Sequence, residues 1–167
     1  MRNMTNLLPR LLSHLLAAIL SVSMSVAQAQ SDDSAENPRV IMKTTDGDIT
    51  IELFADKSPI TVENFLRYVD DGHYDGTIFH RVISNFMIQG GGFDADLKEK
   101  ETRDPIVNES KNKLHNTRGT LAMARTSDPD SATAQFFINQ RSNLRLDWSG
   151  GKDGYTVFGE VIDGMQV

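Results

Sequence analysis

Short runs of β-branched and aromatic residues, separated by glycine, proline and asparagine, recur along the chain after residue 39. The first two runs, residues 40–45 and 49–54, flank Asp46-Gly47, a dipeptide typical of tight β-hairpin turns. A hairpin is therefore predicted here. Turn chemistry is favoured over a calcium site, because no further ligands follow Asp46 and Asp48 at the spacing that a calcium loop uses.

One stretch, residues 58–72, has the pattern of an amphipathic helix. Ser58-Pro59 suits the N-cap and the first helical position, and Gly72 suits the left-handed position after the last turn. This helix is predicted to be structural and to pack over an open end or flank of the sheet. Its apolar stripe, at helical spacing, consists of Val62, Phe65, Leu66 and Val69.

Residues 79–92 predict a second hairpin, in which two short strands are joined by a turn-prone Ser-Asn pair and followed by three glycines. Side chains alternate between the two faces of a strand. In the second strand, this places Met87 and Gln89 on one face and Phe86 and Ile88 on the other.

Two polar side chains of this hairpin that can donate hydrogen bonds, Arg81 and Gln89, lie within a few residues of the apolar Phe86 and Met87. An ordinary core hairpin has little use for that mixture. The pattern indicates a cleft that holds an apolar group and directs a fixed cation at it.

Three further short strands are predicted, at residues 119–124, 135–139 and 155–162. Residues 93–118 show no periodicity and are predicted to be a surface loop whose far end helps to wall the site. Many short strands, glycine-rich turns and one or two helices indicate a closed antiparallel barrel. Residues 163–167 resemble the beginning of another helix.

The N-terminal 29 residues have the features of a secretory signal peptide. Two arginines precede an apolar run over residues 11–26, and Ala27-Gln28-Ala29 forms a cleavage site with small residues at its first and third positions. A membrane anchor is disfavoured because the run is short and diluted by serines. We expect cleavage after residue 29, a disordered linker over residues 30–38, a folded domain over residues 39–167, and a periplasmic or secreted location.

The charge of the chain argues against nucleic-acid binding. Arg2 and Arg10 are the only charged residues among the first 29, so their removal takes the formal net charge from −6 to −8. No stripe of lysine and arginine overrides this acidity. The chain has no cysteine, and therefore neither disulfides nor thiolate ligands. The mature domain is expected to be a monomer that does not engage membranes.

From residue 40 onward the sequence resembles the cyclophilins, the cyclosporin-binding family of peptidyl-prolyl cis-trans isomerases, and in particular their secreted bacterial forms. The family fold is an eight-stranded antiparallel barrel capped by two helices, and it uses no cofactor or metal. The resemblance implies this all-β fold here, without the family's C-terminal helix and last strand. The matching runs are Phe79-His80-Arg81, residues 86–91, 119–125 and 131–138, and Val157-Phe158-Gly159.

The resemblance also implies roles for single residues. The family's catalytic arginine falls on Arg81 and the adjacent histidine on His80, and Gln89 is placed to hold the guanidinium. Phe86, Met87, Phe137 and Leu146 are expected to form a dry pocket for the proline ring. The complete set of substrate-cleft positions is Phe86, Met87, Ala124, Arg125, Gln135, Phe137, Leu146 and Tyr155.

Three positions depart from the pattern of the animal enzymes. Arg145 stands where they carry a tryptophan important for cyclosporin binding, and Trp148 lies three residues too late to replace it. Tyr155 stands where they have a histidine, and Arg125 where they have an asparagine. These changes bear on drug sensitivity far more than on catalysis.

The function expected from these observations is cis-trans isomerisation of X-Pro bonds in exported proteins, with unfolded or partly folded proline-containing polypeptides as partners. One alternative is a non-catalytic proline-peptide-binding module or folding chaperone that uses the same cleft; binding alone would not need Arg81. Another is a phosphoester-cleaving enzyme built on His80 and Arg81. The acidic charge argues against it, as do the turn and loop contexts of His73 and His115.

Overall fold

The computed structural model describes residues 37–167, so the predicted signal peptide and most of the predicted linker lie outside the described residues. Seven strands form one antiparallel sheet in the order β1-β2-β7-β5-β6-β4-β3, with one α-helix, α1. This confirms the all-β antiparallel architecture with a capping helix. The elements are β1 Arg39–Lys43, β2 Asp48–Leu53, α1 Pro59–Asp70, β3 Arg81–Ile83, β4 Met87–Gly90, β5 Thr120–Met123, β6 Phe136–Asn139 and β7 Val157–Asp163, with 3₁₀ turns at Ser110–Asn112 and Leu144–Leu146.

The predicted first hairpin is confirmed, and Thr44 closes its turn. β1 pairs with β2 in the register that ends at Lys43 opposite Asp48. The Thr44 hydroxyl accepts hydrogen bonds from the amides of Asp46 and Gly47, both at 3.1 Å, and donates one to the Gly47 carbonyl at 2.7 Å. Gly47 has a φ of 145°, a conformation that favours glycine.

The helix begins and ends where it was predicted, but Ser58 does not cap it. Ser58 has no side-chain capping bond, because its hydroxyl donates to the carbonyl of Val157 at 2.8 Å. The carboxylate of Glu109 accepts instead from the amides of Ile60 at 3.2 Å and Thr61 at 2.8 Å. Gly72 has the predicted left-handed conformation, with a φ of 66°.

The predicted apolar stripe of α1 is only partly buried. Val62 and Phe65 lie in the core, whereas Val69 is 37% exposed. The buried face of the helix is rotated away from the predicted stripe, and it also includes the polar Thr61 and Asn64 and the aromatic Tyr68. The Asn64 side chain donates to the carbonyl of Thr133 at 2.7 Å, and the Tyr68 hydroxyl accepts from the amide of Arg103 at 2.7 Å. Periodicity in hydrophobic residues alone cannot identify polar residues that are buried with partners.

Cross-strand register gives the sheet two chemically different faces. Directly opposed residues of antiparallel strands have their side chains on the same face, and neighbours along a strand have theirs on opposite faces. One row, across β3, β4, β6, β5 and β7, consists of Arg81, Gln89, Phe137, Ala122 and Val157. The adjacent row, on the other face, consists of Val82, Ile88, Ile138, Leu121 and Gly159.

The second face carries the hydrophobic core, on which α1 packs. The ring centroid of Phe65 lies 5.6 Å from that of Phe136 and 5.2 Å from that of Phe158. Leu121, Met123 and Phe136 are buried in this cluster. Burying each side chain of this size contributes about 1.5–3 kcal/mol, so this layer holds the sheet and helix together.

The loop over residues 93–118 contacts the face of the sheet opposite the core. Its Leu114 packs against the apolar cluster there, as expected of a loop that walls the site. β7 runs through Asp163, and a turn follows in which the Val167 amide donates to the Gly164 carbonyl at 3.0 Å. Gly164 has a φ of 95°, a conformation that favours glycine, and the start of a helix in residues 163–167 stays a prediction. No helix among residues 37–167 is long and apolar enough to cross a membrane.

Candidate active site

An apolar cluster, here called the site cluster, lies on the face of the sheet opposite the core. Its buried members are Met87, Ala122, Phe137 and Val157. Met87 is 2% exposed and Phe137 4% exposed. The partly buried side chains that pack against it are Phe54, Phe86, Leu114, Ala124, Leu146 and Tyr155. The structure therefore brings the predicted pocket residues Phe86, Met87, Phe137 and Leu146 together.

The position of Phe86 corrects the prediction from strand alternation. β4 begins at Met87, and Phe86 lies in the preceding turn, where its amide donates to the Ile83 carbonyl at 3.1 Å. Because Phe86 is outside the strand, alternation does not govern its side chain. It packs with Met87 in the site cluster, while Ile88 lies on the opposite face from Met87, as predicted, and packs against the core.

A chain of polar side chains runs along the edge of the site cluster. Arg81 Nη1 donates to Gln89 Oε1 at 3.3 Å, and Gln89 Nε2 donates to Gln135 Oε1 at 2.9 Å. Gln135 in turn lies against the backbone of Gly92, where an added Cβ would stand 2.5 Å from its Cγ and Cδ atoms. The glycine thus makes room for Gln135, and the two glutamines orient the guanidinium of Arg81.

The guanidinium of Arg81 keeps most of its donors available. Arg81 is exposed. Within residues 37–167, its side chain forms one hydrogen bond, to Gln89, and no ion pair with a carboxylate. Arg81 shares a sheet face with Phe137, two strands away in the same cross-strand row. A cation with free N–H groups therefore lies beside an apolar surface.

His80 has a different environment from Arg81. Its ring packs against Phe93 with centroids 4.6 Å apart, and its Nδ1 atom is buried without a hydrogen-bond partner in the described part of the chain. Burial lowers the pKa of His80 below its usual 6.5, so the ring is neutral at physiological pH. This environment matches a packing role better than proton transfer.

The other two histidines among residues 37–167 have partners away from His80 and Arg81, which argues against the phosphoester alternative. His73 Nε2 lies 3.1 Å from the Gly91 carbonyl, and burial lowers its pKa. His115 Nδ1 lies 2.8 Å from the Asp147 carboxylate. Among residues 37–167, no group of three or more His, Cys, Asp or Glu side chains could hold a metal ion.

Arg125 braces the wall of the cleft. Its guanidinium donates to the carbonyls of Thr126 at 2.9 Å, Asp153 at 2.8 Å and Gly154 at 3.3 Å, and it lies 4.5 Å over the ring of Tyr155. These contacts hold Tyr155 in the site cluster, where its ring meets Phe137 edge to face at 5.6 Å.

The neighbouring residues of the wall are held by backbone bonds. The Ala124 amide donates to the Gln135 carbonyl at 2.9 Å, and the Tyr155 amide donates to the Leu146 carbonyl at 2.8 Å. All the residues predicted for the cleft therefore line or support one site.

Sequence reasoning missed a buried amide network beneath the Phe86 turn. Asn143 Nδ2 donates to the Phe86 carbonyl at 2.9 Å and to Asn139 Oδ1 at 2.8 Å. Asn139 Nδ2 donates to Thr120 Oγ1 at 3.0 Å and to Asn116 Oδ1 at 3.2 Å. The signal available in the sequence was an asparagine at the end of an apolar strand, where a buried side chain needs partners.

Comparison with known proteins gives the family of this chain. The family described as "Cyclophilin type peptidyl-prolyl cis-trans isomerase/CLD" matches residues 39–167. A peptidyl-prolyl cis-trans isomerase of Acinetobacter baylyi is 61% identical over 131 residues, which cover 78% of this chain and 70% of that protein. Peptidyl-prolyl cis-trans isomerase B of Escherichia coli is 59% identical over 131 residues, covering 77% of this chain and 80% of that protein.

A solved structure agrees with these relatives. The cyclophilin-type isomerase of Cryptosporidium parvum, crystallised in the presence of the dipeptide Ala-Pro, superposes with a TM-score of 0.64 at 32% sequence identity. The match covers 77% of this chain and 81% of that one. The chain therefore belongs to the cyclophilin family and is a peptidyl-prolyl cis-trans isomerase.

Proposed function

We propose that Arg81 accelerates isomerisation by donating a hydrogen bond to the proline nitrogen while the X-Pro bond is twisted. The observation that carries the proposal is the Arg81–Gln89–Gln135 chain, which lies beside the site cluster. Phe86, Met87, Phe137 and Leu146 would receive the proline ring.

The chemistry of the bond explains why a fixed cation suffices. Rotation about a peptide bond costs about 18–20 kcal/mol because the nitrogen lone pair is conjugated with the carbonyl. The cis and trans forms of X-Pro differ by only about 0.5–1 kcal/mol, so catalysis concerns the barrier alone. As the bond twists, the nitrogen regains its lone pair and becomes an acceptor. A donor aimed at it gains strength in the transition state and little in the ground state.

The surroundings of Arg81 support this role. An apolar pocket that excludes water raises the strength of a hydrogen bond from a charged donor. The bond from Arg81 to Gln89 orients the guanidinium before the substrate arrives, so little reorganisation is needed during the reaction. A reduction of the barrier by about 7 kcal/mol would correspond to a rate gain on the order of 10⁵.

The test is the rate of cis-trans exchange in a tetrapeptide with a central Ala-Pro bond, followed by NMR. Arg81→Ala is expected to lower kcat/KM by roughly 10²–10³, the scale of removing one preorganised transition-state donor. Arg67→Ala is the matched control, because Arg67 is exposed on α1 and its ion pair within residues 37–167 is with Glu63, one helical turn away. Equal rates for Arg81→Ala and the control would refute the role of Arg81.

We propose further that the enzyme acts on exported polypeptides. Support comes from the basic start, apolar run and Ala27-Gln28-Ala29 site of the first 29 residues. The expected mature protein begins at Gln30 and is found in the periplasm or outside the cell. Mass spectrometry of the fractionated protein tests this; a cytoplasmic protein that retains residues 1–29 would contradict it.

A further inference from the structure

A small cationic groove lies between Phe86 and the segment that leads into the 3₁₀ turn Leu144–Leu146. Its volume is about 280 Å³, and it contains two arginines and no carboxylate. Asn85 and Ser142 have side chains that can donate hydrogen bonds into it, whereas Asn143 already donates to the Phe86 carbonyl and to Asn139. Its lining residues are Asn85, Phe86, Arg141, Ser142, Asn143, Leu144 and Arg145.

Arg145 fixes one positive charge at the edge of the proposed proline pocket. Its guanidinium carbon lies 5.1 Å from the centroid of the Phe86 ring, a cation–π distance. The side chain is exposed and has no carboxylate partner within the described residues. The next residue, Leu146, packs in the site cluster, so the 3₁₀ turn presents a cation and a pocket wall side by side.

The carboxylate nearest in sequence does not neutralise Arg145. Asp147 Oδ1 accepts from the amide and side chain of Asn116, at 2.7 and 2.9 Å, and Oδ2 lies 2.8 Å from His115 Nδ1. Burial raises the pKa of Asp147, but these hydrogen bonds outweigh it and the pKa is lowered overall. Asp147 is therefore ionised and already engaged.

A second, larger groove beyond Arg145 is less suited to an anion. It contains Arg125, Arg145 and Lys152 but also the carboxylates of Asp147 and Asp153. The guanidinium of Arg125 is committed to three backbone carbonyls. The groove with Arg141 and Arg145 is thus positively charged, although the chain as a whole has a formal net charge of −6.

We infer that the groove between Arg141 and Arg145 binds an acidic side chain close to the substrate proline, so that the enzyme prefers proline segments flanked by aspartate or glutamate. The inference rests on the proposed seating of the proline ring on the site cluster. An extended peptide advances about 3.3–3.6 Å per residue. A side chain that reaches a groove bordering Phe86 therefore belongs to a residue within about three positions of the proline.

The test compares kcat/KM for paired peptides with glutamate or glutamine at each position from three before to three after an Ala-Pro bond, measured by NMR exchange. At low salt, at least one glutamate peptide is expected to exceed its glutamine partner by about three- to fivefold. Two partly exposed ion pairs give a preference of this order. The ratio should fall towards one at about 1 M salt, where the Debye length is about 3 Å.

Variants assign the preference to the groove. Arg145→Gln and Arg141→Gln should each reduce the glutamate-to-glutamine ratio, and Arg145→Lys should retain part of it because the charge remains. Arg67→Gln is the control, since it removes one exposed positive charge from α1. The ratio should be unchanged in this control, which carries the same net charge as the other two glutamine variants.

The outcomes separate this inference from the proposed mechanism. The glutamine peptide reports isomerase activity without a charged flank, and its dependence on Arg81 tests the mechanism alone. A glutamate-to-glutamine ratio of one at every position at low salt would overturn the inference, even where Arg81→Ala abolishes activity. An equal loss of preference in Arg145→Gln and Arg67→Gln would also overturn it, because a general charge effect would then explain the result.

Discussion

Gly92 leaves space for Gln135, which is linked to Arg81 through Gln89. A methyl group at residue 92 would approach within 2.5 Å of Gln135, whose Oε1 atom accepts the bond that orients Gln89. Gln89 then holds the guanidinium. A residue with no functional group therefore acts on the proposed catalytic donor by leaving space.

Gly92→Ala is expected to lower kcat/KM about tenfold, because Gln135 must move and Gln89 loses its acceptor. Exchange NMR on the Ala-Pro tetrapeptide measures this, and chemical denaturation checks that the variant is folded. Gln135→Ala should give a similar loss, and the double variant should lose little more, since both changes disrupt one chain of contacts. Fully additive losses would show that Gly92 acts through another route.

At the residue scale, strand alternation predicted the shared face of Met87 and Gln89 but misplaced Phe86. The failure has a local cause: the strand begins one residue later than the hydrophobic run, and Asn85 has a φ of 56° in the turn. A side chain in a turn points where its own backbone directs it, and no period in the sequence records that direction. The resemblance to the family, not the pattern, placed Phe86 in the cleft.

The N-terminus of α1 depends on a residue far away in the chain. Glu109, in the loop over residues 93–118, accepts from the amides of Ile60 and Thr61 and from the Thr61 hydroxyl at 2.6 Å. Its negative charge also lies at the positive end of the helix dipole. The loop therefore anchors the helix that covers the core.

Glu109→Ala is expected to lower the free energy of unfolding by about 1–2 kcal/mol, the usual cost of losing a helix cap. Urea denaturation followed by circular dichroism measures this change. Glu63→Ala is the control, because Glu63 is exposed on the same helix and, in the described part of the chain, forms its ion pair with Arg67. The capping role would be disproved by equal losses of stability in the two variants.

At the element scale, the hairpins and the helix were predictable because their signals are local. Asp46-Gly47 and Ser58-Pro59 mark a turn and a helix start within a few residues. The cap itself was not predictable, because Ser58 bonds to Val157 and the capping carboxylate lies about fifty positions away. Contacts of that separation leave no pattern in a single sequence.

At the scale of the whole molecule, the site exists because the sheet has two faces. The core occupies one face, and the cross-strand row that begins at Arg81 occupies the other. Pairings such as β4 with β6 and β2 with β7 join segments that are distant in the chain, so composition and periodicity alone indicated only a barrel. The family resemblance supplied the expected arrangement, and the structure confirms its antiparallel all-β architecture.

The central claim is that Arg81 binds the twisted imide more strongly than either planar isomer. The most direct measurement is the rate of cis-trans exchange of an Ala-Pro peptide at saturating enzyme, together with the dissociation constant, for the wild type and Arg81→Ala. We predict that exchange on the enzyme slows by roughly 10²–10³, while the dissociation constant changes less than about threefold. Unchanged exchange at saturation, with the whole loss in binding, would contradict this account.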